Sequence, residues 1–292
     1  MSLNIIFILF NSLHFLALAV VFSALFFTRI LASSTYAQHF SLSTRGYLHA
    51  GNITVLVSAI FVLAAQVGLM GNGWPDIIEP NVWLAVLGTS FGQAWQWQIL
   101  LAIISCVFLG PLTDKHNYIL LALITGQLAG LAFIGHALMH EGALGVALKL
   151  SQTIHLFSVS YWVGGLVMLL KVMKDSTKEG MREDALLCII RFSRYGHLAV
   201  ALVICSGLAN TIFIRGWSMH GFSPYTQLLT VKIMLVFIMV MLALINRYWL
   251  VPRFKISGRN ALKKFIRLTY SEIVLSLLII CLVSVFSTLN PF

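Results

Sequence analysis

Three histidines, one methionine and one glutamate lie close together near the middle of the chain. Gly135–Glu141 reads Gly-His-Ala-Leu-Met-His-Glu at the end of one apolar run, and His155 lies in the first turns of the next. On a helix, His136 and His140 would project from one face, about 6 Å apart. Imidazole and thioether groups favour soft or borderline metals, above all copper. The candidate ligands from this part of the chain are His136, Met139, His140, Glu141 and His155.

Three residues elsewhere are further candidates for the same metal site. His14 lies deep in the first apolar run, where an ionisable side chain is costly and usually faces a functional interior. Met219 and His220 lie in a later connection and are candidate entry ligands. Each histidine also has a structural interpretation. It can be a hydrogen-bonded contact between helices, a polar anchor at the membrane interface, or a solvated loop residue.

Composition predicts the elements that must position these residues. The chain has 292 residues, of which 59% are hydrophobic and 10% are charged. Apolar runs of about 18 residues or more recur along its length, which is typical of an integral membrane protein. The bilayer core offers no water to backbone groups, so each run is predicted to be helical. We expect an all-α, polytopic membrane bundle that forms a single domain over residues 1–292.

The apolar runs predict eight transmembrane helices. The first run extends too far and lacks the positive flank of a signal peptide, so it is interpreted as a span. The predicted spans are residues 4–28, 51–71, 93–112, 117–138, 147–171, 193–214, 226–248 and 268–289.

Charge predicts how these helices are oriented. Net charge is +10, and most of the 19 basic residues fall in the connections after the first, third, fifth and seventh spans. The positive-inside rule therefore places both termini on the extracytoplasmic side. This distribution orients helices in a lipid bilayer and does not favour nucleic-acid binding. The opposite connections contain Asp76, Glu79 and Glu141, so the predicted outer face is acidic.

Short motifs in the second half of the chain resemble the copper resistance protein D family of bacterial inner-membrane proteins. The resemblance is strongest over residues 147–292 and rests on the order and spacing of the motifs. They are Ser151-Gln152-Thr153-Ile154-His155 with Tyr161-Trp162-Val163-Gly164-Gly165, Arg191-Phe192-Ser193 with Ser206-Gly207, Tyr225 to Lys232, Asn246-Arg247 with Pro252-Arg253, Glu272, and Asn290-Pro291. Gly135-His136-Ala137 extends the match into the fourth predicted span.

The resemblance implies copper handling at the bacterial inner membrane, usually as import alongside a periplasmic copper-binding partner. Eight spans agree with the family. The soluble copper-binding domain that some relatives carry is not found in this sequence, which leaves either a separate partner or none. Histidine with methionine suits Cu(I), whereas histidine with carboxylate suits Cu(II).

Three functions are consistent with these residues. The first is a copper transporter or channel, which is passive or ion-coupled because the sequence holds no P-loop and no Asp-Lys-Thr-Gly phosphorylation motif. The second is an electron-transfer protein with haem b between two histidines, either His14 with His155 or His136 with His155. The third is a membrane scaffold or regulator of the copper response. None of the three is an enzyme.

Overall fold

The structure is a computed structural model that describes residues 2–109, 114–135, 139–178, 180–216, 223–286 and 288–289. Within helices, the side chains of residues 114–115 and 254–259 are also outside the description. The described residues form helices and short connections, with no β-strand among them. This agrees with the predicted all-α class.

Nine α-helices can be followed through the described residues. They are α1 (Leu3–Phe26), α2 (Ser34–Met70), α3 (Pro80–Leu87), α4 (Ser90–Val107), α5 (Asp114–Gly130), α6 (Gly142–Asp175), α7 (Arg182–Arg215), α8 (Pro224–Leu244) and α9 (Phe254–Phe286). Two π-helical turns, Phe27–Leu31 and Ile245–Leu250, continue α1 and α8. Three 3-10 turns cover Trp74–Ile78, Leu131–Phe133 and Val251–Arg253.

Seven helical segments among the described residues are long and apolar enough to cross a membrane. They are Leu3–Leu31, Ser34–Met70, His116–Phe133, Gly142–Asp175, Arg182–Arg215, Pro224–Arg253 and Asn260–Phe286. They correspond to every predicted span except the third. At that place lies α4, whose 18 residues include three glutamines that lower its hydropathy. A multi-pass helical membrane protein is therefore confirmed.

The fourth predicted span ends earlier than the sequence suggested. The prediction carried the helix to residue 138, but α5 ends at Gly130 and a 3-10 turn ends at Phe133. Ile134 is extended and Gly135 has a φ of 68°, a left-handed conformation that favours glycine. The prediction that the fourth span continues as a helix to residue 138 is therefore wrong, because the backbone is already extended at Ile134.

Several helices are longer than the predicted spans because they extend beyond the hydrocarbon. With 37 residues, α2 is about 55 Å long, which exceeds the thickness of the bilayer core. Its first turns pack against α6 and α7. The Tyr36 hydroxyl donates to Asp175, 2.9 Å away, and Ser33 donates to Asp184. We call the end of the bundle that holds these contacts the basic end. The opposite end, which holds Asp76, Glu79 and Glu141, is called the acidic end.

The first helix lies at the centre of the bundle. It packs against α2, α5, α6 and α9, and Leu18, Ala19 and Leu25 on it are fully buried. A hydrogen bond joins α1 to α6, because Ser23 Oγ donates to the Ser160 carbonyl at 2.9 Å. Close approach also requires Gly164, since a β-carbon there would collide with the carbonyl oxygen of Ala19. Small residues let membrane helices approach in this way.

This packing predicts that Gly164→Ala lowers the stability of the bundle by about 1–3 kcal/mol, because a methyl group must displace the α1 backbone. The thermal unfolding midpoint of the purified protein in detergent measures the effect. Gly46→Ala is the matched control, because a β-carbon at this exposed α2 position meets no atom within 4 Å. If both variants unfold at the same temperature, α1 and α6 do not approach each other as described.

Candidate functional site

A cavity of about 400 Å³ opens within the acidic half of the bundle. Seven helices contribute to it: α1, α2, α4, α6, α7, α8 and α9. Most of its wall is apolar, and a small number of polar side chains converge on it. Polar residues in its lining are Asn11, Gln66, Gln152, His155, Asn210, Thr211, Lys232, Ser276 and Ser284. A concave, mostly apolar space with a few converging polar groups is typical of a ligand site.

Among the candidate ligands that the structure describes, His155 is the one that lines this cavity. Its ring lies on α6, and Nδ1 is 2.9 Å from Ser206 Oγ on α7. Ser206 donates its single hydroxyl proton to the carbonyl of Leu202, so its oxygen accepts from His155 Nδ1–H. Nε2 then carries the lone pair, and no described residue bonds to it. A metal-binding histidine typically donates a hydrogen bond from its other ring nitrogen to a neighbouring residue, which fixes the tautomer of the ring.

Two amides lie on the same side of the cavity as His155. Asn210 Nδ2 donates to Gln152 Oε1 at 2.7 Å and joins α7 to α6. Gln152 is one helical turn before His155. Asn210 therefore both joins two helices and lines the cavity.

The α8 wall of the cavity carries a repeated stripe. Tyr225, Lys232 and Met239 recur every seven residues, and all three line the cavity. The Nζ atom of Lys232 is 6.0 Å from the centre of the Phe286 ring. A seven-residue spacing keeps side chains on one helix face, so the sequence contained this signal although the predicted ligand set did not use it.

His14 is fully enclosed and lies outside the cavity lining. Its side chain is on α1, and Nδ1–H donates to the Val55 carbonyl of α2 at 3.1 Å. Nε2 is buried without a hydrogen-bond partner among the described residues. The indole of Trp95, whose centre is 5.0 Å from that of the imidazole, lines the cavity where His14 does not. The expected pairing of His14 with His155 in one site is therefore not formed in the cavity.

His140, Met139 and Glu141 lie at the acidic end, in the connection before α6. His140 Nε2 donates to the Phe213 carbonyl of α7 at 2.7 Å, so this ring joins the connection to α7. Met139 and Glu141 are exposed, and Glu141 precedes the first residue of α6. None of the three lines the cavity. The structure therefore separates them from His155, because α5 does not continue as the helix that would have aligned His140 with the bundle interior.

The remaining predicted ligands, His136, Met219 and His220, lie outside the described residues. Within the described ranges, no group of three or more His, Cys, Asp or Glu side chains is arranged to hold a metal ion. A haem between His14 and His155 gains no support from the described geometry, because Trp95 lies beside His14 at the cavity wall. The described part of the site is thus one oriented imidazole in a cavity with amide, ammonium and thioether neighbours.

The fold and this cavity define a multi-pass helical membrane protein with a histidine-lined chamber inside its bundle. Comparison with known proteins assigns its family. The family model "Copper resistance protein D-like, N-terminal domain" matches residues 2–146, and the model "Copper resistance protein D" matches residues 187–286. The chain belongs to the copper resistance protein D family. The second match lies within residues 147–292, where the sequence motifs were found.

Three curated relatives support this assignment. The chain is 35% identical to "Inner membrane protein YebZ" of Escherichia coli (strain K12), over 96% of each chain. It is 28% identical to "Copper resistance protein D" of Pseudomonas syringae pv. tomato, over 70% of this chain and 68% of the relative. It is also 28% identical to "Copper transport protein CutJ" of Bacillus subtilis (strain 168), over 60% of this chain and 34% of that longer protein. No solved structure matches the chain. The protein is a multi-pass protein of the bacterial inner membrane.

The different surroundings of His14 and His155 predict different chemical accessibility. In a background whose four cysteines are replaced by serine or alanine, His155→Cys should react with a small water-soluble thiol reagent, because residue 155 lines the cavity. His14→Cys should stay unmodified, because residue 14 is 1% exposed. Mass spectrometry of the purified protein measures the labelling. Equal modification of both cysteines would contradict the described cavity wall.

Proposed function

We propose that this protein binds copper in the cavity at His155 and moves it across the inner membrane. The observation that carries the proposal is the imidazole of His155, which Ser206 orients so that Nε2 is free toward a cavity within the bundle. Neutral imidazole with a free Nε2 is the form that binds a metal ion. The names of two relatives, which refer to copper resistance and copper transport, supply the metal.

The donor atoms around the cavity support copper as the cargo. Besides the imidazole, the lining contains the thioether of Met239, whose sulfur accepts a hydrogen bond from Ser276 Oγ at 3.4 Å. Nitrogen and thioether ligands favour Cu(I) over hard cations such as Mg²⁺. His136, Met219 and His220 are proposed to deliver the ion from the surface to this cavity. His140, which is bonded to Phe213, is proposed to hold the adjacent connection in place.

The proposed topology has eight spans with both termini outside. The eighth crossing is α4, whose 18 residues are about 27 Å long and pack between α2 and α5. The positive-inside rule then makes the acidic end extracytoplasmic, so the cavity faces the periplasm. Copper enters there, either from a separate periplasmic copper-binding protein or directly. Movement is passive or coupled to another ion, and no enzymatic step is involved.

Lys232 places a positive charge in the wall of the proposed copper site. Its ammonium group lies in the wall of the same cavity, where it repels a bare copper ion. Lys232 lies eight residues after Pro224, the first residue of α8. Its flexible four-carbon stem lets the charge extend toward the aqueous end of that helix. We propose that Lys232 limits how tightly copper is held, which favours release over storage.

Removing the imidazole should reduce copper transport. His155→Ala is expected to lower cellular copper uptake at least tenfold without changing protein level. Loss of a hydrogen bond that orients a metal ligand already costs about tenfold to a hundredfold in metal affinity, and loss of the ligand itself should cost at least as much. His49→Ala is the matched control, since this partly exposed α2 histidine bonds only to its own helix among the described residues. Unchanged uptake in His155→Ala, together with altered capture of a partner protein, would favour a scaffold or regulator instead.

Removing the positive charge at Lys232 should tighten copper binding. In Lys232→Gln, the ammonium group no longer repels a bare copper ion. With an effective dielectric constant of about 20, losing this repulsion improves the free energy of copper binding by about 1–2 kcal/mol, or roughly tenfold in Kd. Titration of the purified protein with Cu(I) against a competing chelator measures this change. Weaker binding in Lys232→Gln would mean that the cavity holds copper as an anionic complex.

A further inference from the structure

A second, smaller cavity lies on the basic side of the first. Its volume is about 160 Å³, and it is lined by α6, α7, α8 with the π-helical turn after it, and α9. Most of the lining is apolar, with Trp162, Leu166 and Phe192 among its larger side chains. The polar members are Ser193, His197, Asn246, Arg247 and Glu272.

Glu272 is the buried carboxyl group of this second cavity. Its side chain is 2% exposed, within a helix that the bilayer surrounds. One carboxyl oxygen, Oε2, accepts a hydrogen bond from Asn246 Nδ2 at 3.1 Å. The other oxygen, Oε1, and the amide oxygen of Asn246 are both buried without a partner among the described residues. Two neighbouring oxygen atoms are therefore left without a donor, which is costly for buried polar groups.

The charged and titratable groups that face Glu272 are engaged elsewhere. Arg247 donates to Ser193 Oγ. His197 donates from Nδ1 to the Ser193 carbonyl at 2.9 Å, and its Nε2 accepts from the Tyr248 hydroxyl at 2.9 Å. The α6 part of the lining contains no titratable side chain. Among the described side chains, the ion pairs do not include Glu272, so the ion pair that its burial would suggest is not formed there.

The backbone also changes its geometry at this site. Asn246 is the second residue of the π-helical turn Ile245–Leu250, which interrupts the regular winding after α8. Single π-helical turns inside helices are frequently found at functional sites. The wider turn places the buried Asn246 amide against the α9 carboxyl group instead of leaving α8 to continue as a regular helix.

One side chain separates the two cavities on the α6 side. Trp162 is 6% exposed and lines both of them. On α9, Ser276 lines the first cavity and Glu272, one turn away, lines the second. The stripe on α8 continues in the same direction, because Asn246 follows Met239 by seven residues. The two spaces therefore lie in series between α6, α7, α8 and α9, with the Trp162 indole at their boundary.

We propose that Glu272 and Asn246 form a binding site for a hard monovalent cation, either a proton or a sodium ion, on the basic side of Trp162. Carboxylate and amide oxygens are ligands for hard cations, whereas copper is better served by the nitrogen and sulfur donors of the first cavity. In the proposed transport function, on which this role rests, the cation would be the coupling ion. Binding itself does not require that copper is transported.

The test uses the full-length purified protein in detergent, with copper removed by a chelator. In the sodium arm, the thermal unfolding midpoint is measured in sodium, potassium and choline chloride at equal ionic strength, because a ligand that binds the folded state raises this midpoint. In the proton arm, tryptophan fluorescence is followed from pH 5 to pH 9, with Trp162→Phe identifying the contribution of Trp162. Both arms compare wild type, Glu272→Gln and Asn246→Ala. Glu183→Gln is the matched control because Glu183 is exposed in the first turn of α7.

The expected result is a signal in one arm that is lost in Glu272→Gln, weakened in Asn246→Ala and retained in Glu183→Gln. A midpoint raised by sodium alone identifies sodium, and a fluorescence transition with pH that does not respond to sodium identifies a proton. The proposal is overturned if Asn246→Ala and Glu272→Gln both match wild type in the two arms. If Glu272→Gln does not fold, unchanged behaviour of Asn246→Ala alone overturns it. Since copper is absent throughout, a failed copper-transport proposal leaves this result unaffected.

Discussion

The cost of an unsatisfied polar group in the hydrocarbon of a bilayer shapes the whole molecule. Every backbone amide of a spanning segment must bond within its own helix, which produces the bundle. Polar side chains in those helices must then face inward and find partners there. Ser23 bonds to α6, His14 to α2 and Asn210 to Gln152. Some of the polar groups that remain without such partners, among them Glu272 Oε1 and Asn246 Oδ1, line an interior cavity.

Close packing of α1 in the centre makes those interior spaces possible. Small residues let α6 lie against α1, whereas large side chains line the space between α6, α7, α8 and α9. The same helices therefore form a tight contact on one face and a cavity on another. The described hydrogen bonds turn His155 toward the space, while His14, only one helix away from it, is bonded to α2 behind Trp95. Two histidines with similar sequence surroundings consequently have different chemistry.

Much of the fold could be predicted from local sequence properties. Apolar runs predicted the helices because each spanning segment must satisfy its own backbone. The motifs around His155 indicated the family, and this residue lines the interior cavity. The predicted end of the fourth span was wrong because α5 changes to a 3-10 turn after Gly130 and Ile134 is extended, a change of backbone conformation that an apolar pattern does not reveal.

The sequence by itself determined the helical membrane class, the family and the asymmetry between an acidic and a basic end. These properties follow from composition and from local sequence motifs, which do not depend on how a segment packs against other helices. The tertiary structure alone decided that His14 and His155 are separated, that Lys232 shares the cavity with His155, and that Glu272 meets Asn246. The physical reason is helix rotation. In a bilayer, the lipid is as apolar as the core, so hydrophobicity does not specify which helix face turns inward, and packing between distant helices decides it.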